Sequence, residues 1–169
     1  MEVMEAIKTR RSIRKFKNKP VSKKDVEVLI RAAMQAPSAG NKQPWHFVVI
    51  TDRKKLDKIP DFHPFAKMLI ESPLAILICA KVETSRYCDY WVQDCSAATQ
   101  NLLLAAHAKG LGAVWLGIYP IAERVEGIKQ LFNLPPDFIP LSLNAIGYPA
   151  EKKDPVDRFD ESRIHYEQW

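Results

Sequence analysis

A dense group of basic and hydroxyl side chains near the N-terminus is the part of this sequence best suited to bind a ligand. It contains three arginines and a serine within five positions, namely Arg10, Arg11, Ser12 and Arg14. Guanidinium groups and a hydroxyl donate hydrogen bonds that suit the oxygens of a phosphate. Residues 1–24 hold nine Lys or Arg against two Glu, whereas the whole chain carries a formal charge of only +5. The basic character is therefore local and indicates a specific anionic ligand or a local electrostatic role.

The same charges allow other interpretations, which the residues alone leave open. Arginines at the end of a helix interact favourably with its dipole, and a run of basic side chains is often only a solvated face. A nucleic acid is a further candidate partner, yet no aromatic stacking platform or recognition helix accompanies the charges. The interruption of the basic run by Ser12 and Ile13 favours a phosphate site over a solvated face.

A loop rich in proline and in neutral polar side chains is the second candidate element. Proline and glycine alone would indicate an ordinary turn at this place. The side-chain amides and the hydroxyl, however, match the carbonyl and imide edges of a heteroaromatic ring. The residues concerned are Pro37, Ser38, Ala39, Asn41 and Gln43.

A strand flanked by glycines, GLGAVWLG at 110–117, is the third candidate element. Glycines beside a buried strand more often serve packing or turns than contact with a cofactor. The segment is not a GxGxxG fingerprint, and the sequence contains no P-loop. A dinucleotide-binding fold is therefore not predicted.

The hydrophobic pattern predicts the elements that must position these three groups. Helices are expected at 2–10, from the Ser22 cap to the loop at Pro37, at 89–109 and at 121–132. Strands are expected at 46–51, 74–80, 113–118 and 139–146, with short helices forming a cover at 53–72. The tail, 150–169, is charged but ends with Ile164, Tyr166 and Trp169, so it is expected to dock on the body or on a partner subunit.

Size and composition predict a single domain over 1–169, with 150–169 as a C-terminal extension. No apolar run approaches the roughly 20 residues that cross a bilayer, and the acidic N-terminus does not resemble a signal peptide, so a cytoplasmic protein without membrane contact is expected. Cys79, Cys88 and Cys95 lack CxxC spacing; a disulfide or a metal site is the alternative, but buried or idle thiols are expected. The four histidines are scattered, and no metal site is predicted.

Four segments, in this order, resemble the FMN-dependent nitroreductase family over the full length of the chain. They are RRSIRKF, APSAGNKQPWHFVVI, GLGAVWLG and the tail IGYPAEKKDPVDRFDESRIHYEQW. The resemblance implies an α+β fold, in which a mixed central β-sheet is flanked by helices. It also implies an intertwined homodimer with FMN sites at the interface.

The resemblance assigns a role to each candidate element. One subunit would hold the FMN phosphate and ribityl chain through Arg10, Arg11, Ser12 and Arg14. The other subunit would line the ribityl and ring region with Pro37, Ser38, Ala39, Asn41 and Gln43. The ring would lie along Trp115, Leu116 and Gly117, with a backbone N–H near flavin N5. From the tail, Arg158 and Lys153 are candidates for further phosphate contacts, although Arg158 could instead pair with Asp157 or Glu161.

The resemblance also implies the chemistry. NADH or NADPH would reduce the flavin at N5, and a nitroaromatic, quinone, flavin or similar acceptor would then reoxidise it in ping-pong order. The cofactor supplies the electron chemistry, so no catalytic side chain is predicted. The alternatives are a flavin destructase, a reductive dehalogenase or an FMN-binding protein without turnover. Acceptor contacts would come from 60–72 and 84–94, where the aromatic side chains could stack on the acceptor or simply pack: Phe62, Phe65, Tyr87, Tyr90 and Trp91.

Overall fold

The computed structural model describes residues 1–82 and 87–169. Within these residues, helices and strands are mixed in an α+β arrangement. The helices are α1 (Val3–Thr9), α2 (Lys23–Met34), α3 (Arg53–Lys58), α4 (Trp91–Ala108) and α5 (Ala122–Phe132). The strands are β1 (Trp45–Ile50), β2 (Leu74–Lys81), β3 (Gly112–Gly117) and β4 (Phe138–Gly147). These bounds agree with the predicted elements to within a few residues.

The four strands form one sheet in the order β1-β2-β4-β3, and every neighbouring pair is antiparallel. The predicted mixed sheet is thus antiparallel in its named strands. Its one parallel pairing among the described residues is an isolated bridge between Ser12 and Ala113. The long connections between strands return over the sheet, and β2 is buried on both faces, as its continuous apolar sequence predicts.

Two hydrophobic layers pack against the sheet. On one face, α2 and α4 cover β2 and β4, and the 18-residue helix α4 contributes Leu102, Leu103 and Ala106 to that layer. On the other face lie α3, α5 and the segment 59–70, which contains two short 3-10 helices. The predicted cover of short helices is therefore confirmed. No helix in the described ranges combines the length and apolarity needed to cross a membrane.

A side-chain cap fixes the start of helix α2. Its N-cap, Ser22, accepts a hydrogen bond from the backbone N–H of Asp25 at 3.0 Å, and the Asp25 carboxylate lies in the positive first turn. Lys109, just after α4, pairs with the same carboxylate at 2.9 Å. The cap thus also ties α2 to the end of α4.

The C-terminal tail begins close to the N-terminal basic segment and then leaves the body. Ala150 donates a backbone hydrogen bond to Lys15 at 2.9 Å, and Phe16 forms an isolated bridge with Pro149. Every residue from 154 to 169 is exposed, and the ring of Phe159 is 75% exposed. Within this protomer, therefore, the large apolar side chains of the tail are not buried against the body.

Candidate functional site

The predicted phosphate-binding residues surround one small pocket. Its volume is about 190 Å³, and six residues line it: Arg10, Arg11, Ser12, Arg14, Lys153 and Arg158. The structure therefore brings all four N-terminal candidates together with both candidates from the tail. Arg158 forms no ion pair with Asp157 or Glu161 in the part of the chain that the structure describes. Its side chain faces the other arginines instead.

Local structure explains why the basic side chains face this pocket. Helix α1 ends before Arg10, and the chain then runs beside the first residues of β3. The side chain of Ile13 is buried against Gly112, where an added Cβ would lie 2.7 Å from an Ile13 methyl carbon. Ile13 also donates its backbone N–H to the Ala113 carbonyl at 3.0 Å. A buried residue in the middle of the run thus anchors the segment.

The start of the tail completes the pocket. Lys153 Nζ donates to the Ser12 carbonyl at 2.9 Å and lies 3.4 Å from Glu151 Oε1. Glu151 Oε1 also accepts the backbone N–H of Arg14 at 2.5 Å, and this bond lowers the pKa of the Glu151 carboxyl. The Arg11 guanidinium donates to the Asp154 carbonyl. These contacts hold the tail and the basic segment together without filling the pocket.

The electrostatics of the pocket favour an anion. Burial lowers the pKa of Arg10, and the nearby positive charges of Arg158 and then Arg11 lower it further. No acidic residue is among the described residues that line the pocket. Like charges held this close repel one another until an anion binds between them. The donor set therefore fits a phosphate dianion, such as the one FMN carries, without a metal ion.

The predicted loop has an unusual backbone conformation. Gly40, Asn41 and Gln43 all have positive φ values, at 56°, 53° and 48°. Ser38 Oγ accepts the backbone N–H of Gln43 at 2.9 Å, and Gln43 Nε2 donates to Asn41 Oδ1 at 2.9 Å. Pro37 precedes this turn. Residues held in sparsely populated conformations often mark binding sites. Here the two hydrogen bonds fix the loop conformation without a ligand.

Within one protomer the loop and the basic pocket lie far apart. Ala39 donates its backbone N–H to Asp94 at 3.0 Å, near the start of α4. At the other end of α4, His107 lies 2.7 Å from Thr9, just before the basic segment. The α-helical rise of 1.5 Å per residue separates Asp94 from His107 by about 20 Å. The structure therefore does not bring these two predicted elements together in a single chain.

The end of β3 presents an open glycine. A Cβ added at Gly117 would meet no heavy atom within 4 Å. Trp115 is partly exposed, whereas Leu116 is buried in the layer of α3 and α5. Leu116 could thus contribute only its backbone to a ligand lying above Gly117. From Ala113, beside the basic segment, to Gly117 the strand extends about 13 Å, which suits an elongated ligand with an anionic end and a flat end.

Two donors hold the Gly117 carbonyl, and the sequence did not predict either of them. His63 Nε2 lies 3.1 Å from this oxygen and donates to it, and the Arg124 guanidinium donates to it at 2.9 Å. His63 is buried, with 1% of its surface exposed. Its burial, followed by the charge of Arg124, lowers the pKa of the imidazole. A lone histidine in a charged segment carries no pattern that would have identified it.

The aromatic candidates for acceptor contact have divided roles. Phe62 packs against Gly127 of α5, and Trp91 is buried with its ring against Tyr119. Phe65, by contrast, is 69% exposed and lies beside Arg124. Tyr87 and Tyr90 are both exposed, and residues 83–86 lie outside the described residues.

The two cysteines whose side chains are described are buried and free. Burial raises the pKa of Cys79 to about 11 and that of Cys95 to about 12. Their burial agrees with the prediction. The Cys88 side chain lies outside what the structure describes.

Comparison with known proteins identifies the family. The model of the nitroreductase family matches residues 7–66 and 62–148. A protein of Methanothermobacter thermautotrophicus with the provisional name NADH dehydrogenase/NAD(P)H nitroreductase is 50% identical over 169 residues, which are 100% of this chain and 88% of that relative. An FMN-dependent nitroreductase from Clostridium difficile R20291 has a similar structure, with a TM-score of 0.91 at 28% identity over 98% of this chain and 99% of that one. A provisionally named nitroreductase from Desulfovibrio desulfuricans, in complex with FMN, has a TM-score of 0.84 at 31% identity over 100% of this chain and 98% of that one. The chain therefore belongs to the nitroreductase family.

Proposed function

We propose that this protein is an FMN-dependent oxidoreductase that takes electrons from NADH or NADPH. The observation that carries the proposal is the pocket of five cationic side chains and one hydroxyl at one end of β3, with an open glycine at the other. A relative is named NAD(P)H nitroreductase, and a similar structure is of an FMN complex. Bound FMN would supply two-electron transfer at N5. It would accept electrons from NAD(P)H and then, in ping-pong order, pass them to a nitroaromatic, quinone, flavin or similar acceptor.

The chain's own residues bind and orient the cofactor. Arg10, Arg14 and Arg158 would hold the phosphate, while Ser12 offers its hydroxyl to the phosphate or the ribityl chain. The backbone from Trp115 to Gly117 would lie along the ring. Positioning of this kind requires no nucleophile or acid–base pair, which agrees with the absence of a catalytic residue from the prediction.

We infer that each site is completed by a second copy of the chain. The loop with Pro37, Ser38, Ala39, Asn41 and Gln43 is preformed, yet it contacts α4 at Asp94, about 20 Å along the helix from His107, which contacts Thr9 beside the basic segment of the same protomer. A partner's loop would therefore supply the contacts to the ribityl chain and ring.

The exposed apolar surface supports this dimer. On α1, Val3, Met4 and Ile7 are between 50% and 70% exposed, and the tail presents Phe159 and Trp169. Surface of this kind marks protein interfaces. A chain truncated before residue 154 should shift toward monomer in sedimentation equilibrium and lose FMN affinity. A truncated chain that stays dimeric would assign the dimer contacts to α1 and the helices rather than to the tail.

The visible absorption spectrum tests the proposed function directly. The purified protein, incubated with FMN and freed of excess, should show a flavin spectrum that bleaches under anaerobic conditions with NADH or NADPH. Oxidised acceptors should then restore the colour. A flavin spectrum that resists both donors would favour flavin destruction, dehalogenation or FMN binding without turnover. A protein that retains no flavin would overturn the proposal.

Substitution of the pocket locates the cofactor. The double variant with Arg10→Ala and Arg14→Ala should fold and purify largely without FMN, because two charged donors to the phosphate are lost. The matched control replaces Lys17 and Lys23, which are exposed lysines of the same segment that do not line the pocket, by Ala. The control should retain FMN. Full FMN occupancy in the double arginine variant would refute the assignment of the phosphate site.

A further inference from the structure

We infer that His63 and Arg124 are positioning residues for the flavin ring, because together they fix the carbonyl of Gly117 at the end of β3. The inference rests on the proposed function, since it assumes that the ring lies along this strand end. It concerns two side chains that the cofactor itself need not touch.

The first support is the geometry at the carbonyl. His63 Nε2 and an Arg124 nitrogen lie 3.1 Å and 2.9 Å from the same Gly117 oxygen. A carbonyl oxygen has two lone pairs, so these two donors occupy its full accepting capacity. The next two residues, Ile118 and Tyr119, both donate backbone N–H groups to Leu141. The chain is thus held on both sides of the Gly117–Ile118 peptide bond.

The second support is the nature of Gly117 itself. Glycine has the freest backbone of any residue, and nothing packs where its Cβ would be. Gly117 is the last residue of β3 and lies opposite Ser142 of β4, so the two donors to its carbonyl add to the restraint that this pairing supplies. A flavin ring needs room above the strand and a fixed backbone donor beside it. The absent side chain provides the room, and the two donors to the carbonyl add rigidity to a strand end that is paired with β4.

The third support is the way in which both donors are themselves fixed. His63 is buried, and its Nε2 donates to Gly117 while its Nδ1 has no hydrogen-bond partner among the described residues. Phe62, its neighbour, packs against Gly127 on the same helix as Arg124. The Arg124 guanidinium also lies 5.5 Å from the Phe65 ring centroid. The cover segment and α5 therefore converge on one backbone oxygen.

The predicted consequence is a change in flavin potential when a donor is removed. In oxidised flavin N5 accepts a hydrogen bond, whereas in reduced flavin N5 carries a hydrogen. The backbone donor in question is the N–H of Gly117, because the Ile118 N–H already donates to Leu141. Held beside N5, the Gly117 N–H would therefore favour the oxidised form. Replacing His63 by Leu should loosen this donor and raise the affinity for reduced relative to oxidised FMN about tenfold, which is about 30 mV for a two-electron couple.

The test compares four variants by anaerobic potential measurement and by FMN titration. His63→Leu removes the donor, whereas His63→Gln places an amide N–H near the position of Nε2 and should restore the potential. Arg124→Met removes the second donor from a partly exposed position and keeps the inference testable if His63→Leu does not fold. Ile59→Val trims a buried methyl from the same cover segment, keeps the Ile59 carbonyl that accepts the His63 backbone N–H and leaves both donors to Gly117 in place, so it should leave the potential unchanged.

A measurement on the FMN-free protein checks directly whether His63 and Arg124 hold the Gly117 carbonyl. Gly–Ile occurs twice in the sequence, at Gly117–Ile118 and Gly127–Ile128. Labelling glycine with carbonyl ¹³C and isoleucine with ¹⁵N therefore gives two NMR correlations, of which the second is an internal reference. In the FMN-free protein, His63→Leu should shift the Gly117 carbonyl signal, and His63→Gln should move it back.

The outcomes separate the inference from the proposed function. If the wild-type protein binds no FMN, the proposed function fails and this inference fails with it. If the wild type binds FMN but His63→Leu and Arg124→Met leave the potential unchanged, only the inference is overturned. An equal shift in Ile59→Val, or no recovery in His63→Gln, would overturn it as well, because the effect would then come from packing.

Discussion

Replacing Arg10 by Met should separate the proposed role of this residue in FMN binding from its effect on stability. The guanidinium is partly buried near Arg158 and Arg11, and burial together with these like charges lowers its pKa. Met keeps the apolar stem and removes the repulsion, so the FMN-free variant should be at least as stable as the wild type. A hydrogen bond to a charged group contributes about 1.5–3 kcal/mol, so FMN should bind about 10- to 150-fold more weakly.

The assay is a pair of fluorescence titrations of the FMN-free protein, one with FMN and one with riboflavin, which lacks the phosphate. The loss should appear with FMN alone, because Arg10 lines the basic pocket proposed for the phosphate and not the open end of β3. Lys17→Met is the matched control, since it removes one positive charge from the same segment at an exposed position outside the pocket. Thermal unfolding without ligand measures the stability of both variants.

Three results would refute this reasoning. Riboflavin binding weakened by the same factor as FMN binding would show that Arg10 acts through the fold of the site. An equal loss of FMN affinity in Lys17→Met would show that only the net charge matters. A marked fall in the unfolding temperature of the FMN-free Arg10 variant would show that the guanidinium stabilises the fold, contrary to the repulsion inferred from its neighbours.

Other predictions concern acid stability, the loop and the thiols. Burial and then the charge of Arg124 lower the pKa of His63. The stability that this neutral histidine contributes above about pH 6.5 should therefore be lost as the pH falls through the lowered pKa. Denaturant titrations at several pH values should show a smaller loss in His63→Gln. Gly40→Ala should lower the free energy of unfolding by more than about 1–2 kcal/mol and by more than Gly110→Ala does. Both glycines have positive φ, but only at Gly40 would an added Cβ lie 2.7 Å from an aromatic ring. Equal losses in the two variants would contradict a steric contribution. In a Cys88→Ser protein the two buried thiols should react with a thiol reagent at pH 8 only on unfolding, and rapid reaction of the native protein would contradict their raised pKa values.

Local signals made most of the fold predictable. The Ser22 cap, the continuous apolar run of β2 and the glycine after α4 each act over a few residues, so their consequences can be derived from neighbouring letters. The direction of the strands is set by how the long connections return over the sheet. Residue patterns within a strand do not encode that direction, so the residues could not refine the mixed sheet that the resemblance implied, and the named strands are in fact antiparallel.

The candidate site was predictable where its residues are close in sequence. Arg10 and Arg14 stand in a visible basic run, and the family resemblance added Arg158 and Lys153 from the tail, which the structure places at the same pocket. His63 could not be found in this way. His63 and Gly117 are 54 positions apart in the sequence, and tertiary packing alone brings them into contact.

The length of α4 has a genetic consequence. This helix contacts the residue before the basic segment at one end and the preformed loop at the other. Each protomer would therefore contribute its basic segment to one cofactor site of the dimer and its loop to the other site. A chain impaired in its arginines and a chain impaired in its loop would each be inactive alone. Co-expressed, they would form mixed dimers with one intact site and one doubly impaired site. Two defective alleles of this gene should therefore complement each other whenever their lesions lie at opposite ends of α4.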